Sequence, residues 1–190
     1  MIVGLLLAAG AAQRFGSQKL VAPFRGVPLV RHAALVLCGA IKPTIAVIGN
    51  DAAAVRAALA DTGVTVVENP DWRDGLSTSL RRGVASVPAG AEAVVVALGD
   101  QPLLDAAVIA SLVARWRETG LPIVAARFRG VIAPPVLLAR SVFAEVAELR
   151  GDFGARPLIM RAPERVAYVE IDRDIPPDVD TPEDLAELSS

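Results

Sequence analysis

Two cations and two aspartates, each set beside a turn, are the residues of this chain best suited to chemistry. The stretch LAAGAAQRFGSQKL, residues 7–20, leaves an apolar run and becomes at once a loop of small residues carrying Gly10, Arg14, Gly16 and Lys19. Glycines let the backbone turn its N–H groups inward as donors to an anion. The loop is not a Walker phosphate loop, because six residues rather than five bring Gly10 to Gly16 and Lys19 does not directly follow a glycine. It is not a dinucleotide fingerprint either, since G-x-G-x-x-G is absent. The alternative is a solvated connection with surface charges, although a loop this long after a buried first strand is more often functional. Asp100 follows the apolar run AVVVALG, and Gly99 and Pro102 already supply the bend while Asp105 is placed to cap the next helix. Asp100 is therefore read as a carboxylate at a strand's end, against the plainer reading of a turn residue. Before the last helix Thr181 is the natural N-cap, Pro182 takes the first helical position and Asp184 the third. That fills the capping roles without Asp180, for which a solvated side chain is the competing reading.

Such groups need a scaffold, and the apolar pattern supplies one. Short runs at 2–7, 44–48, 64–67, 93–98, 122–126 and 166–171 read as strands, and helical spacing occupies 29–38, 52–60, 78–87, 106–119, 142–149 and 182–188. The unbroken Val94-Val95-Val96-Ala97-Leu98 implies burial on both faces, as in a parallel strand covered by helices. The alternation predicts a three-layer α/β/α sandwich with a mostly parallel, Rossmann-like sheet. In such sheets ligands bind at the carboxyl ends of the strands, where the first loop and Asp100 both fall. Residues 127–161 break the rhythm. Ala133-Pro134-Pro135 is expected outside the central strands, because two prolines remove two ladder donors, and the region is read as an insertion or edge element over the active end. Ser77 is the expected N-cap of the helix that follows it.

Hydrophobic residues make up 53% and charged ones 21%, which excludes the disordered class; a single domain over residues 1–190 is expected. With a net charge of −2 and no basic face, the field that attracts a nucleic acid is missing. The lone Cys38 falls in a helical apolar pattern and reads as a core residue, consistent with a cytoplasmic location. No positive charge precedes the N-terminal apolar run, so a signal peptide is not expected, and no apolar segment reaches the roughly 18 residues of a membrane span.

LAAGAAQRFGSQKL resembles the signature LAAGxxxRxGxxK of the MobA-like nucleotidyltransferases, and the resemblance continues through NPDWRDGLSTSLRRG from Asn69, GDQP from Gly99, GDFGAR from Gly151 and DTPEDL from Asp180. Together these motifs are most similar to the molybdenum cofactor cytidylyltransferase branch. The resemblance implies a nucleotide-diphospho-sugar transferase type of fold and Mg²⁺-dependent transfer of CMP from CTP to a phosphorylated acceptor, molybdopterin, with release of pyrophosphate. It implies that Leu7, Ala8, Ala9 and Gly10 frame the base, that Arg14 and Lys19 hold the triphosphate and act with Asp100 in catalysis, and that Ser79 faces the base. It also implies that Asp100 and Asp180 bind the metal and that Asp152 and Arg156 line the acceptor pocket. A transient contact with a molybdoenzyme or its chaperone belongs to the same implication. Arg suits two phosphate oxygens and Lys a departing pyrophosphate.

Other readings stay open at this level. GDFGAR reads equally as a glycine-bounded loop closed by a local ion pair, and Trp72 as a ligand-stacking or a core-edge aromatic. Arg25, Arg81 and Arg82 read as surface charges and His32 as non-catalytic. The cytidylyltransferase branch carries Gly-His-Pro where this chain has Ala133-Pro134-Pro135, which leaves room for a sugar phosphate or another acceptor. A glycosyltransferase is disfavoured because Asp100-Gln101-Pro102 has only the first carboxylate of an Asp-x-Asp motif, and a non-catalytic nucleotide-binding partner of a cofactor enzyme has little use for a metal pair.

Overall fold

A computed structural model describes residues 1–11, 15 and 18–189. Along the chain run β1 (Ile2–Ala8), β2 (Pro23–Phe24), β3 (Val27–Pro28), α1 (Leu29–Ala40), β4 (Thr44–Ile48), α2 (Ala52–Ala58), β5 (Thr65–Glu68) and α3 (Leu76–Ala85). Then follow β6 (Ala93–Leu98), α4 (Ala106–Thr119), β7 (Ile123–Phe128), β8 (Val131–Ala139), α5 (Phe143–Ala147), α6 (Arg156–Arg161), β9 (Val166–Ile171) and α7 (Pro182–Ser189). Each strand and helix expected from the sequence is present, its ends within two residues of the expected ones.

The main sheet has seven strands in the order β5-β4-β1-β6-β8-β7-β9, and only β8 runs against the rest. Strand β1 shows why the apolar runs are unbroken. Its Leu6 and Ala8 pack with residues of α1, α2 and α4, while Val3, Leu5 and Leu7 pack on the other face with residues of α3, α5 and α6. Both faces are dry, so no polar alternation survives. At Gly83 a Cβ would come within 2.4 Å of Leu5, so α3 lies directly on β1. The fold is the expected three-layer sandwich.

The placement of the diproline corrects the expectation. β8 lies between β6 and β7, antiparallel to both, so Ala133-Pro134-Pro135 belongs to a central strand and not to an edge element. Pairing with β6 stops at Val96↔Val136, and the register with β7 jumps from Ala125↔Val136 to Ala126↔Ala133. Both prolines fall inside that bulge, where no ladder hydrogen bond asks for their missing N–H groups.

A small cluster of Phe24, Leu29 and Val179, joined by Leu103 and Leu185, fastens the β2–β3 hairpin and α7 to the carboxyl end of the sheet. It brings the last motif of the chain beside the first.

Candidate functional site

Lys19 sits in a 3-10 turn, Lys19–Val21, just beyond β1. The Gln18 side chain fixes this turn by donating to the Asn50 carbonyl at 2.8 Å and accepting from the Leu20 N–H at 3.3 Å. Lys19 is thereby buried, and its Nζ donates to Asp100 Oδ2 at 2.7 Å and to Asp180 Oδ1 at 3.0 Å. Burial pulls the ammonium's pKa down, but the charges and hydrogen bonds of Asp100 and Asp180 outweigh it and raise the group above the ordinary lysine value. Stripping such a buried charge of its partners costs on the order of 3–5 kcal/mol.

Each aspartate is held by its own device. Asp100 follows β6, which is tied to β1 by the Gly99 N–H donating to the Leu7 carbonyl at 2.9 Å. Ahead of Asp180, Val179 is fully buried and its N–H donates to the Asp100 carbonyl at 3.2 Å, so the two segments run side by side. Asp184 Oδ2 accepts from the N–H groups of Asp180 and Thr181 at 2.9 and 2.8 Å, and the Asp184 N–H donates to Thr181 Oγ1 at 3.1 Å. This reciprocal cap leaves the Asp180 carboxylate turned to Lys19. Asp105 caps α4 through the Ala107 N–H at 2.8 Å, as its spacing predicts.

A third carboxylate, Asp178, accepts from Gln101 Nε2 at 2.7 Å. One side of Asp178 meets solvent, yet the protein packed around the other desolvates it and, with Asp100 and Asp180 nearby, raises its pKa above the ordinary value against the pull of Gln101 and Lys19. Among the described residues no cluster of three or more His, Cys, Asp or Glu side chains is arranged to hold a metal. Two carboxylate oxygens do converge on one cationic nitrogen, a donor set suited to a hard divalent ion that completes its shell with water and phosphate oxygens.

Lys19 and Asp180 open onto a cleft of about 900 Å³ whose wall includes Gly10, Trp72, Arg73, Ser79 and Asp152. Leu7, Ala8 and Ala9 are buried, and the Leu7 and Ala9 carbonyls accept from Gly99 and Asn50, so Gly10 and Ala11 form the part of this loop that faces the cleft. Arg14 lies outside the described residues. Ser79 is buried against Asn69, whose Nδ2 donates to its hydroxyl at 3.0 Å and to Thr78 Oγ1 at 2.8 Å.

The start of α3 differs from the expectation. Gly75, at φ 101°, is the N-cap, and Ser77 lies inside the first turn, fully buried, its hydroxyl without a partner among the described residues. The cap comes from far along the chain: the Leu76 N–H donates to Asp152 Oδ1 at 3.0 Å and the Ser77 N–H to the Gly151 carbonyl at 3.2 Å. Gly75 is required here, since a Cβ on it would meet the Gly151 carbonyl at 2.6 Å. Asp152 thus reaches the cleft, whereas Arg156 is exposed at the start of α6, does not line the cleft and, among the described residues, makes no ion pair to Asp152.

Trp72 is half-buried against Gly49, lines the cleft, and carries the Arg73 guanidinium 4.3 Å from its ring centre. Arg25 is exposed beside Phe24, Cys38 is buried, and His32 Nε2 hydrogen-bonds to the Phe24 carbonyl at 2.8 Å. Arg82 is exposed, but Arg81 is half-buried with its Nε unpartnered among the described residues. Sequence reasoning missed Gln18, Asn69, Arg73, Gln101 and Asp178 as parts of the site. The only signal for them was adjacency to Lys19, Asp100, Asp180 and the GLSTSL segment.

No helix among the described residues is long and apolar enough to cross a membrane. Residues 4–166 match the MobA-like NTP transferase domain. The chain is 32% identical to the nicotine blue oxidoreductase of Paenarthrobacter nicotinovorans over 198 residues, 98% of this chain and 96% of that protein. The crystal structure of Rv0371c from Mycobacterium tuberculosis H37Rv superposes with a TM-score of 0.85 at 33% identity, covering 98% of this chain and 96% of that one. The manganese complex of Rv0371c superposes with a TM-score of 0.82 at 32% identity, over 99% and 97% of the two chains.

Proposed function

The chain belongs to the MobA-like NTP transferase family, and from that premise we propose that it transfers CMP from CTP to a phosphorylated acceptor, molybdopterin, with release of pyrophosphate. The observation that carries this reading is the meeting of Lys19 with Asp100 and Asp180 at the edge of the cleft. An oxygen of the acceptor phosphate attacks the α-phosphorus, a new P–O bond forms, and the bond to the α,β-bridging oxygen breaks, its electron pair leaving with pyrophosphate. No general base is needed, because a phosphate monoester with a second pKa of about 6 is largely ionised at neutrality. Lys19 and Arg14 hold the triphosphate in line, Leu7 to Gly10 and Ser79 frame the base, and Asp152 and Arg156 receive the acceptor within a single domain whose residues 127–161 form the acceptor side. Asp100 and Asp180 would hold Mg²⁺, which when bound supplies charge neutralisation on the phosphates. That Rv0371c, a similar structure, forms a manganese complex supports the use of a divalent ion. A transient contact with a molybdoenzyme or its chaperone would deliver the product.

One relative is named an oxidoreductase, and the test accordingly has two arms. Pyrophosphate release is screened for the common nucleoside triphosphates against molybdopterin and sugar phosphates, with and without Mg²⁺, alongside oxidation of reduced nicotinamide by a dye. The expected result is EDTA-sensitive pyrophosphate release with CTP and molybdopterin. Release with a sugar phosphate alone would replace the acceptor. Nicotinamide oxidation without pyrophosphate, or triphosphate binding without turnover on any acceptor, would overturn the reading.

A further inference from the structure

Resting on that transferase reading, we propose that Lys19 keeps the divalent-cation site closed in the nucleotide-free protein and opens it by exchanging partners. Its ammonium leaves the two aspartates for the triphosphate as metal and nucleotide arrive together. The nitrogen lies 2.7 Å from Asp100 Oδ2 and 3.0 Å from Asp180 Oδ1, filling the space between the two carboxylates that a small divalent ion, bonded to oxygen at about 2.1 Å, would need in order to bind both. Ammonium and metal cannot share that point, on grounds of size and of charge.

The surroundings decide which partner moves. Asp100 and Asp180 are anchored through their backbones: Val179 is buried and bonded to the Asp100 carbonyl, Gln101 grips Asp178, and Asp184 holds the N–H of Asp180. Lys19 is anchored at its backbone by Gln18, but four methylenes separate that anchor from its charge. The lysine head is therefore the part free to swing. Metal alone would strand a buried ammonium without an anion, and triphosphate alone would bring more negative charge to a place that already holds three carboxylates. Arriving together, they leave every charge paired: the aspartates keep a cation and the ammonium keeps an anion. Metal and nucleotide binding are thus coupled through one side chain.

The test uses Mn²⁺ as the probe, titrated by electron paramagnetic resonance into the full chain with no nucleotide present. Lys19→Met is expected to bind Mn²⁺ at least tenfold more tightly than the wild type, while Lys19→Arg, which keeps the charge, stays near the wild type. An affinity for Lys19→Met equal to or weaker than that of the wild type would overturn the exchange. Should Lys19→Met fail to fold in metal-free buffer, a cooperative thermal transition restored by Mn²⁺ but not by NaCl of equal ionic strength supports the proposal, and no recovery overturns it. Failure of the transferase reading registers elsewhere, as absent pyrophosphate release by the wild type, and leaves the Mn²⁺ result unchanged.

Discussion

Around Lys19, the cleft is built from buried side chains and strand ends: one ammonium joins two carboxylates from segments far apart in the chain, each braced by backbone hydrogen bonds. Around Asp152, it is built from loops: a single carboxylate caps α3, Phe153 and Arg156 stand exposed, and Arg73 stacks on Trp72. Under the proposed function, the contrast would correspond to a division of labour. Group transfer from a triphosphate makes the same demands whatever the acceptor, so its groups gain from rigid placement. Acceptor choice is a matter of loops, which change without disturbing the sheet beneath them.

Substitutions on the two sides should therefore fail in different ways. The largest effect is expected for Asp100→Asn, which removes a carboxylate from the braced side: pyrophosphate release should fall on the order of a hundredfold, with little change in the KM for the acceptor. A loss confined to acceptor KM would erase the distinction between the sides. Next comes Gly75→Ala. A side chain at φ 101° and 2.6 Å from the Gly151 carbonyl should lower stability by about 1–3 kcal/mol in thermal melts, and it should raise acceptor KM more than nucleotide KM, because it parts α3 from the 151–152 loop. Asp152→Ala, which removes only a carboxylate at a helix start, should cost about 0.3–1 kcal/mol and show the same KM bias more weakly.

The smallest effect belongs to a pair outside both regions. Arg165 hydrogen-bonds to Glu145 and holds its carboxyl below the ordinary glutamate value. A depressed folded-state pKa gives stability that is present above the unfolded value of 4.5 and is lost as the pH falls through the folded one. Glu145→Gln should thus be slightly less stable than the wild type at neutral pH, a difference that acid melts should show vanishing at low pH. Both partners are about a third exposed, so solvent screening keeps the effect small, and neither KM should move.

The order in which these features could be read from the chain follows the range of the interactions that make them. Strands such as Ala93–Leu98 and caps such as Asp105 and Thr181 with Asp184 depend on neighbours a few residues away, and spacing reveals them. The diproline of β8 was misplaced because its tolerance depends on a bulge set by β7, not on its own residues. Ser77 is the expected cap of α3 on local spacing, whereas the carboxylate that accepts from the first turn, Asp152, lies 76 residues beyond its partner Leu76. Strand order places the Lys19 loop and Asp100 at one end of the sheet, but that Asp180 joins them was legible only through motif resemblance. Gln101 and Asp178, which steady that meeting, carry no local signature.

The most direct measurement is anomalous diffraction from crystals of the protein with Mn²⁺ and a non-hydrolysable CTP analogue. A single manganese peak bonded to both Asp100 and Asp180, with the Lys19 nitrogen moved onto a phosphate oxygen, is the expected result. Manganese bound elsewhere, or Lys19 still lodged between the two aspartates beside a bound nucleotide, would contradict it.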